Sequence, residues 1–280
     1  MWKKLFIIVS GLLVISLILG GSLWHQLKVT KTQLANTTAQ LKAIETQLDK
    51  AKDKGSWLVD HYPNFREQIS RRLGRGPDAQ NFVTPDDPTV STKVQEITGG
   101  YAEDAKERWA DYSRLYSWII MNIEYARDSH TPVLPEPMSE TLEWEEGFWR
   151  MPTETIRDRA GDCEDMVVLL VSMLLNYNEG RLPVWAVGIR TSGQKSEAHI
   201  ALAFPVEGNK LTILDPAARY HTTFPCGFGL AAEDVSVTVN AWLSRWAEKM
   251  GNAHIHLAFS DKFYQEFSST EEFIEWVKKQ

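Results

Sequence analysis

Three residues in the second half of the chain have side chains that can do nucleophilic chemistry together: Cys163 in GDCED, His199 in AHIALAF and Asp215 in LDPAA. A thiolate attacks a carbonyl carbon, an imidazole carries the proton, and a carboxylate behind the ring orients it. Cys163 stands just before the apolar run Met166 to Leu175, and Asp162 with Asp165 three residues on reads as a capping box. The thiol is therefore expected in the first turn of a buried helix. The free N–H groups of a first turn favour a thiolate, whereas the like-signed neighbours Asp162, Glu164 and Asp165 oppose it, so activation needs a histidine partner.

The elements that must bring that partner close are strands. VWAVGIR (Val184–Arg190), AHIALAFPV (Ala198–Val206) and KLTILDPAA (Lys210–Ala218) carry the strand pattern, and Gly208-Asn209 joins the last two as a tight antiparallel hairpin. His199 then lies near the start of one strand and Asp215 near the end of its neighbour, which places the two ends together. Upstream, Tyr101 to Tyr125 is helical, with Trp109, Tyr112, Leu115, Tyr116, Ile119, Ile120 and Ile123 on one core-facing side. Pro132, Pro135 and Pro137 mark a loop, and Trp144 and Trp149 beyond it are expected as core packing or cleft wall. Trp57 to Leu73 reads as a broken helix, Gly74 to Gly100 as a linker or surface loop, and Thr270 to Val277 as an amphipathic helix docked behind its STEE cap.

From Tyr112 to Ala218 the chain resembles the transglutaminase-like domain, a branch of the papain-like cysteine enzymes. YSWIIMNIEY is similar to the leading helix of that family, GDCED to its cysteine motif, AHIALAF to its histidine strand and LDPAA to its aspartate strand. The resemblance implies an α+β fold with the nucleophile helix packed on an antiparallel sheet, over residues 101–280 including a C-terminal extension. It also implies Cys163 as nucleophile, His199 as general base and acid, and Asp215 as the group orienting the imidazole. The implied reaction is attack on a carbonyl, commonly an amide, to give a thioester that water or an amine resolves. Hydrolysis of a protein or peptide substrate is the expected outcome. Transfer to an amine, or a non-catalytic protein-binding domain, are the alternatives, and no cofactor is needed. Ile200 and Asp162 depart from the family pattern of an aromatic after the histidine and a small apolar residue before the cysteine, which bears on acceptor specificity.

The 280 residues are 43% hydrophobic and 24% charged, but the apolar residues are unevenly spread. Leu5 to Trp24, LFIIVSGLLVISLILGGSLW, is uncharged and would extend about 30 Å as a helix. It is expected to be a retained membrane anchor (1–24) rather than a cleaved signal peptide, with Trp2 and Trp24 at the interfaces and the body outside the cytoplasm. Leu27, Leu34, Leu41 and Leu48 follow seven apart, with Thr30, Thr37, Ile44 and Ala51 in the companion positions three residues on. This predicts a coiled-coil stalk (25–54) and self-association through it, followed by a helical and linker region (55–100). The combined expectation is a single-pass, membrane-anchored cysteine amide hydrolase, a peptidase.

Net charge is -7, with eight lysines against Glu45, Asp49 and Asp53 in the first 54 residues, so the body is strongly acidic. An acidic body without a Lys/Arg cluster offers no phosphate-binding footprint, which excludes a nucleic-acid partner. The two cysteines allow one alternative, a Cys163–Cys226 disulfide that would silence the nucleophile. A metal site would recruit His221, His254 and His256, but these form no compact ligand motif, and no metal is expected.

Overall fold

Helical and strand signals alternate along the second half of the chain, and the computed structural model shows what each becomes. It describes residues 2–136, 139, 141–191, 197–223 and 229–280, with the side chains of 2–19 and 146 outside the described set. The helices are α1 (Trp2–Arg71), α2 (Pro88–Thr98), α3 (Ala105–Asn122), α4 (Pro152–Asp158), α5 (Cys163–Tyr177), α6 (Val235–Met250) and α7 (Thr270–Val277), with a short 3-10 turn at Gly76–Phe82. The strands are β1 (Glu124–Tyr125), β2 (His130–Val133), β3 (Glu143–Glu146), β4 (Ala160–Gly161), β5 (Trp185–Thr191), β6 (Ala198–Val206), β7 (Lys210–Asp215), β8 (Tyr220–His221), β9 (Glu233–Asp234), β10 (Ala253–Phe259) and β11 (Tyr264–Glu266). The chain divides into two units, Met1–Phe65 and Arg66–Gln280.

The first unit is helical. Its heptad leucines Leu27, Leu34, Leu41 and Leu48 are exposed, as is Ile44. Among the described residues no helix is long and apolar enough to cross a membrane. That finding corrects the anchor expected over Leu5–Trp24, and with it the membrane-anchored function, the single-pass placement and the extracytoplasmic location. The physical reason lies in the described part of α1. From Gly20 onward it carries Lys28, Lys31, Lys42, Glu45, Asp49 and Lys50, whose burial in hydrocarbon is costly. The side chains of the expected span up to position 19 lie outside the described residues. The break expected between Trp57 and Leu73 is also corrected, because the helix continues through Pro63 to Arg71.

In the second unit an antiparallel sheet runs β11-β10-β5-β6-β7-β8, with β9 pairing on β7. Side chains of a strand alternate between the two faces of a sheet, and here both faces are covered. Ala186, Ile200, Leu202, Phe204 and Leu214 pack with α5, α3 and α2 in one core. Trp185, Val187, Ile189, Ala201, Ala203 and Ile213 pack with α6 and α7 in a second. Burial on both faces is why the strands read as nearly continuous apolar runs. Helix α5, which begins at Cys163, is buried from Asp165 to Leu175, consistent with a segment apolar all round.

The hairpin joining β6 and β7 forms as expected: Val206 pairs with Lys210 across a three-residue connection in which Gly208 and Asn209 both have positive φ. The linker expected over Gly74–Gly100 is corrected, since it holds the 3-10 turn and α2, and Phe82, Val90 and Val94 are buried. Asp87 caps α2, Pro88 opens it and Gly99 closes it in the left-handed conformation, the usual order of start and stop residues.

Candidate active site

Two short elements set the approach to Cys163. β4 pairs parallel with β1, Tyr125 facing Gly161, and the chain then turns into α5 at Asp162. Gly161 is required there, because an added Cβ would stand 2.6 Å from the Cβ of Asp165. Asp165 is fully buried and ties the turn together: it accepts the Arg150 N–H at 2.7 Å and the Asp162 N–H at 3.3 Å. The second of these is the return half of the expected capping box.

The opposite side is built by the sheet. Pairing of β6 with β7 brings His199 beside Asp215, and the imidazole Nε2 lies 2.8 Å from Asp215 Oδ2. Both residues are buried, Asp215 completely. Asp215 Oδ1 accepts the Ala218 N–H at 3.0 Å, so the turn after β7 fixes the carboxylate. Trp242 and Trp246 of α6 donate their Nε1–H groups to Oδ2 at 3.0 and 3.2 Å. Trp246 also covers the histidine, with ring centroids 3.9 Å apart at 35°.

A cleft of about 620 Å³ separates the two sides; Tyr125, Asp128, Asp162, Cys163, His199 and Trp246 are among its lining residues. Cys163 and His199 both line it, and the fully buried Asp215 stands behind the histidine in contact with its ring. The assembled triad is nevertheless corrected. The hydrogen bond that Cys163 Sγ makes is to Glu164 Oε2 at 3.1 Å, and the described hydrogen bonds give it none to His199. The reason is local charge. A thiol placed among Asp162 and Glu164 keeps its proton and donates it to the nearest carboxylate.

Burial, followed by the charges of Glu164 and Asp162, pushes the Cys163 thiol well above its ordinary range. Glu164 is also raised well above the usual carboxylate range, by burial and then by the charge of Asp162. Burial raises Asp162 and Asp128 as well, and takes Asp165 up to about 7. Asp162 Oδ1 is buried without a hydrogen-bond partner. Asp162, Cys163 and Glu164 each offer a ligand atom within 4.8 Å of the others, so these three are the described residues that could hold a metal ion.

The alternatives resolve differently. Cys163 is a free thiol, and Cys226, its partner in the alternative disulfide, lies outside the described residues. His221 is on β8, while His254 and His256 are on β10; four strand spacings separate them, about 19 Å. These three histidines therefore do not share an ion. His256 Nδ1 instead bonds the Gly188 carbonyl at 3.0 Å, and burial pushes its pKa down to about 4. Trp149 packs against Phe82 and Phe259, and Trp144 is exposed on β3, so neither lines the cleft. The sequence reading missed Trp242 and Trp246; their spacing of four on one helix was visible, but nothing in it pointed to Asp215.

A family model described as a transglutaminase-like domain matches residues 93–221, the stretch that holds Cys163, His199 and Asp215. No curated protein matches the chain. Among solved structures, Legionella pneumophila LapG is 16% identical, with 68% of this chain and 96% of that chain covered and a TM-score of 0.35. Its calcium-bound form gives 16% identity, 68% and 97% coverage, and a TM-score of 0.31. A candidate cysteine protease of Cytophaga hutchinsonii gives 16% identity, 67% and 55% coverage, and a TM-score of 0.33. Over residues 93–221 the chain is thus similar to transglutaminase-like domains.

Proposed function

We propose that the cleft is the reaction centre of a cysteine enzyme that transfers acyl groups, with Cys163 as nucleophile and the His199–Asp215 pair as proton carrier. The observation that carries this reading is the buried imidazole–carboxylate pair opening on the same cleft as a free thiol. Substrate entry displaces the Cys163–Glu164 hydrogen bond. The thiol proton passes to His199, the sulfur bonds to the acyl carbon, and the imidazolium returns the proton to the leaving group. Water or an amine then attacks the thioester, gives its proton to His199, and releases the thiol. Backbone N–H groups in the first turn of α5 face the developing oxyanion.

A short activated ester tests the reading without a known substrate. On mixing with p-nitrophenyl acetate, the protein is expected to release a burst of p-nitrophenol and gain one acetyl group on Cys163, read by peptide mass spectrometry. Cys163→Ala is expected to lose the burst with its fold intact, and His199→Ala to slow it. Acetylation confined to other residues, or an unchanged burst in Cys163→Ala, would overturn the proposal.

A further inference from the structure

We infer that Trp242 and Trp246 are positioning residues that hold His199 in one tautomer and one orientation, making α6 part of the reaction centre. The inference rests on the proposed role of the His199–Asp215 pair and extends it to a helix outside the residues 93–221 that match the family model.

Three ring nitrogens converge on one carboxylate oxygen: His199 Nε2 at 2.8 Å, Trp242 Nε1 at 3.0 Å and Trp246 Nε1 at 3.2 Å from Asp215 Oδ2. An indole N–H can only donate, so Oδ2 is an acceptor toward both tryptophans and carries no proton to give. The imidazole must then place its own hydrogen on Nε2, which leaves the Nδ1 lone pair as the base. Without the tryptophans, Asp215 would still accept one hydrogen bond from the ring, but the carboxylate would be free to rotate about its remaining tie to the Ala218 N–H.

Orientation has a second source. Trp246 lies against the imidazole at 3.9 Å between centroids, which blocks one face of the ring. Trp242 is fully buried in the core that α6 shares with the sheet, so it anchors the arrangement. Trp246, Lys249 and Met250 continue along α6 into the cleft, so the helix that orients the histidine also forms part of the cleft wall.

The test uses the full chain with Trp246→Phe, which keeps an aromatic ring over His199 and removes one donor, and with Trp246→Leu, which removes both. Nitrogen-15 chemical shifts of the His199 ring report the tautomer directly and do not depend on turnover. The wild type is expected to show the Nε2–H form alone, Trp246→Phe a mixture of tautomers, and Trp246→Leu a larger share of the second form. The burst of p-nitrophenol is expected to fall about tenfold in Trp246→Phe, the effect of one hydrogen bond to a charged group. Trp242→Phe serves as a second variant if Trp246→Leu does not fold. Ring shifts unchanged in Trp246→Phe and Trp242→Phe, with the fold intact, would overturn the inference. Ring shifts that change while no variant or wild type acetylates at Cys163 would uphold the positioning role and overturn the proposed function instead.

Discussion

The two walls of the cleft are built on opposite principles. On the sheet side every polar atom of Asp215 has a partner, with three donors on one oxygen and a backbone N–H on the other. On the helix side Asp162, Glu164 and Asp128 are crowded together, all raised by burial, and Asp162 Oδ1 has no hydrogen-bond partner. A satisfied buried network is rigid, whereas a partly satisfied one stores free energy that a change of charge or partner can release. In the proposed reaction the proton carrier is thus set in advance, and the thiol is the half that must change state.

Breaking the satisfied wall has the largest expected consequence. Asp215→Ala would leave the His199, Trp242 and Trp246 donors buried with no acceptor, a loss of about 3–5 kcal/mol in denaturant unfolding. Asp215→Asn, which keeps one oxygen acceptor, is expected to lose less.

The acidic wall should show itself as a pH dependence. Asp165 is raised to about 7 in the folded protein, above its unfolded value, so the native state holds a proton that the unfolded state has released. Its contribution is complete below the unfolded pKa of about 3.9 and is lost as pH rises through about 7. Urea midpoints are therefore expected to fall by the equivalent of a few kcal/mol between about pH 4 and pH 7, and Asp165→Asn to flatten that slope. A midpoint that rises across this range would remove the contrast between the walls.

A smaller effect comes from steric fit at the same turn. Gly161→Ala would press a methyl group onto Asp165 at 2.6 Å, at a cost of about 1–3 kcal/mol from overpacking. Thermal unfolding of the variant checks it.

The sheet side was also the more legible of the two. Short, nearly continuous apolar runs marked β5, β6 and β7, and Gly208-Asn209 marked the hairpin that sets His199 beside Asp215. The start of α5 at Cys163 followed from Asp162 and Asp165. What stayed hidden was of two kinds. The Cys163–Glu164 hydrogen bond depends on side-chain direction in a single turn, which spacing does not encode. The bonds from Trp242 and Trp246 to Asp215 span 27 and 31 residues and require the second helical layer to be in place. The second unit's α2 was legible but overlooked, since Asp87, Pro88 and Gly99 mark its two ends. The uncharged stretch at Leu5–Trp24 suggested an anchor, whereas the described helices include none long and apolar enough to span a membrane.

The central claim is that Glu164 holds the Cys163 thiol protonated and that its release hands the thiol to His199. Iodoacetamide alkylation of Cys163 at neutral pH, followed by peptide mass spectrometry, tests it most directly in Glu164→Gln and in Glu164→Gln/His199→Ala. The single variant is expected to react at least about tenfold faster than wild type, from the loss of one adjacent negative charge, and the double variant to lose that gain. An unchanged rate in Glu164→Gln, or equal rates in the single and double variants, would contradict the account.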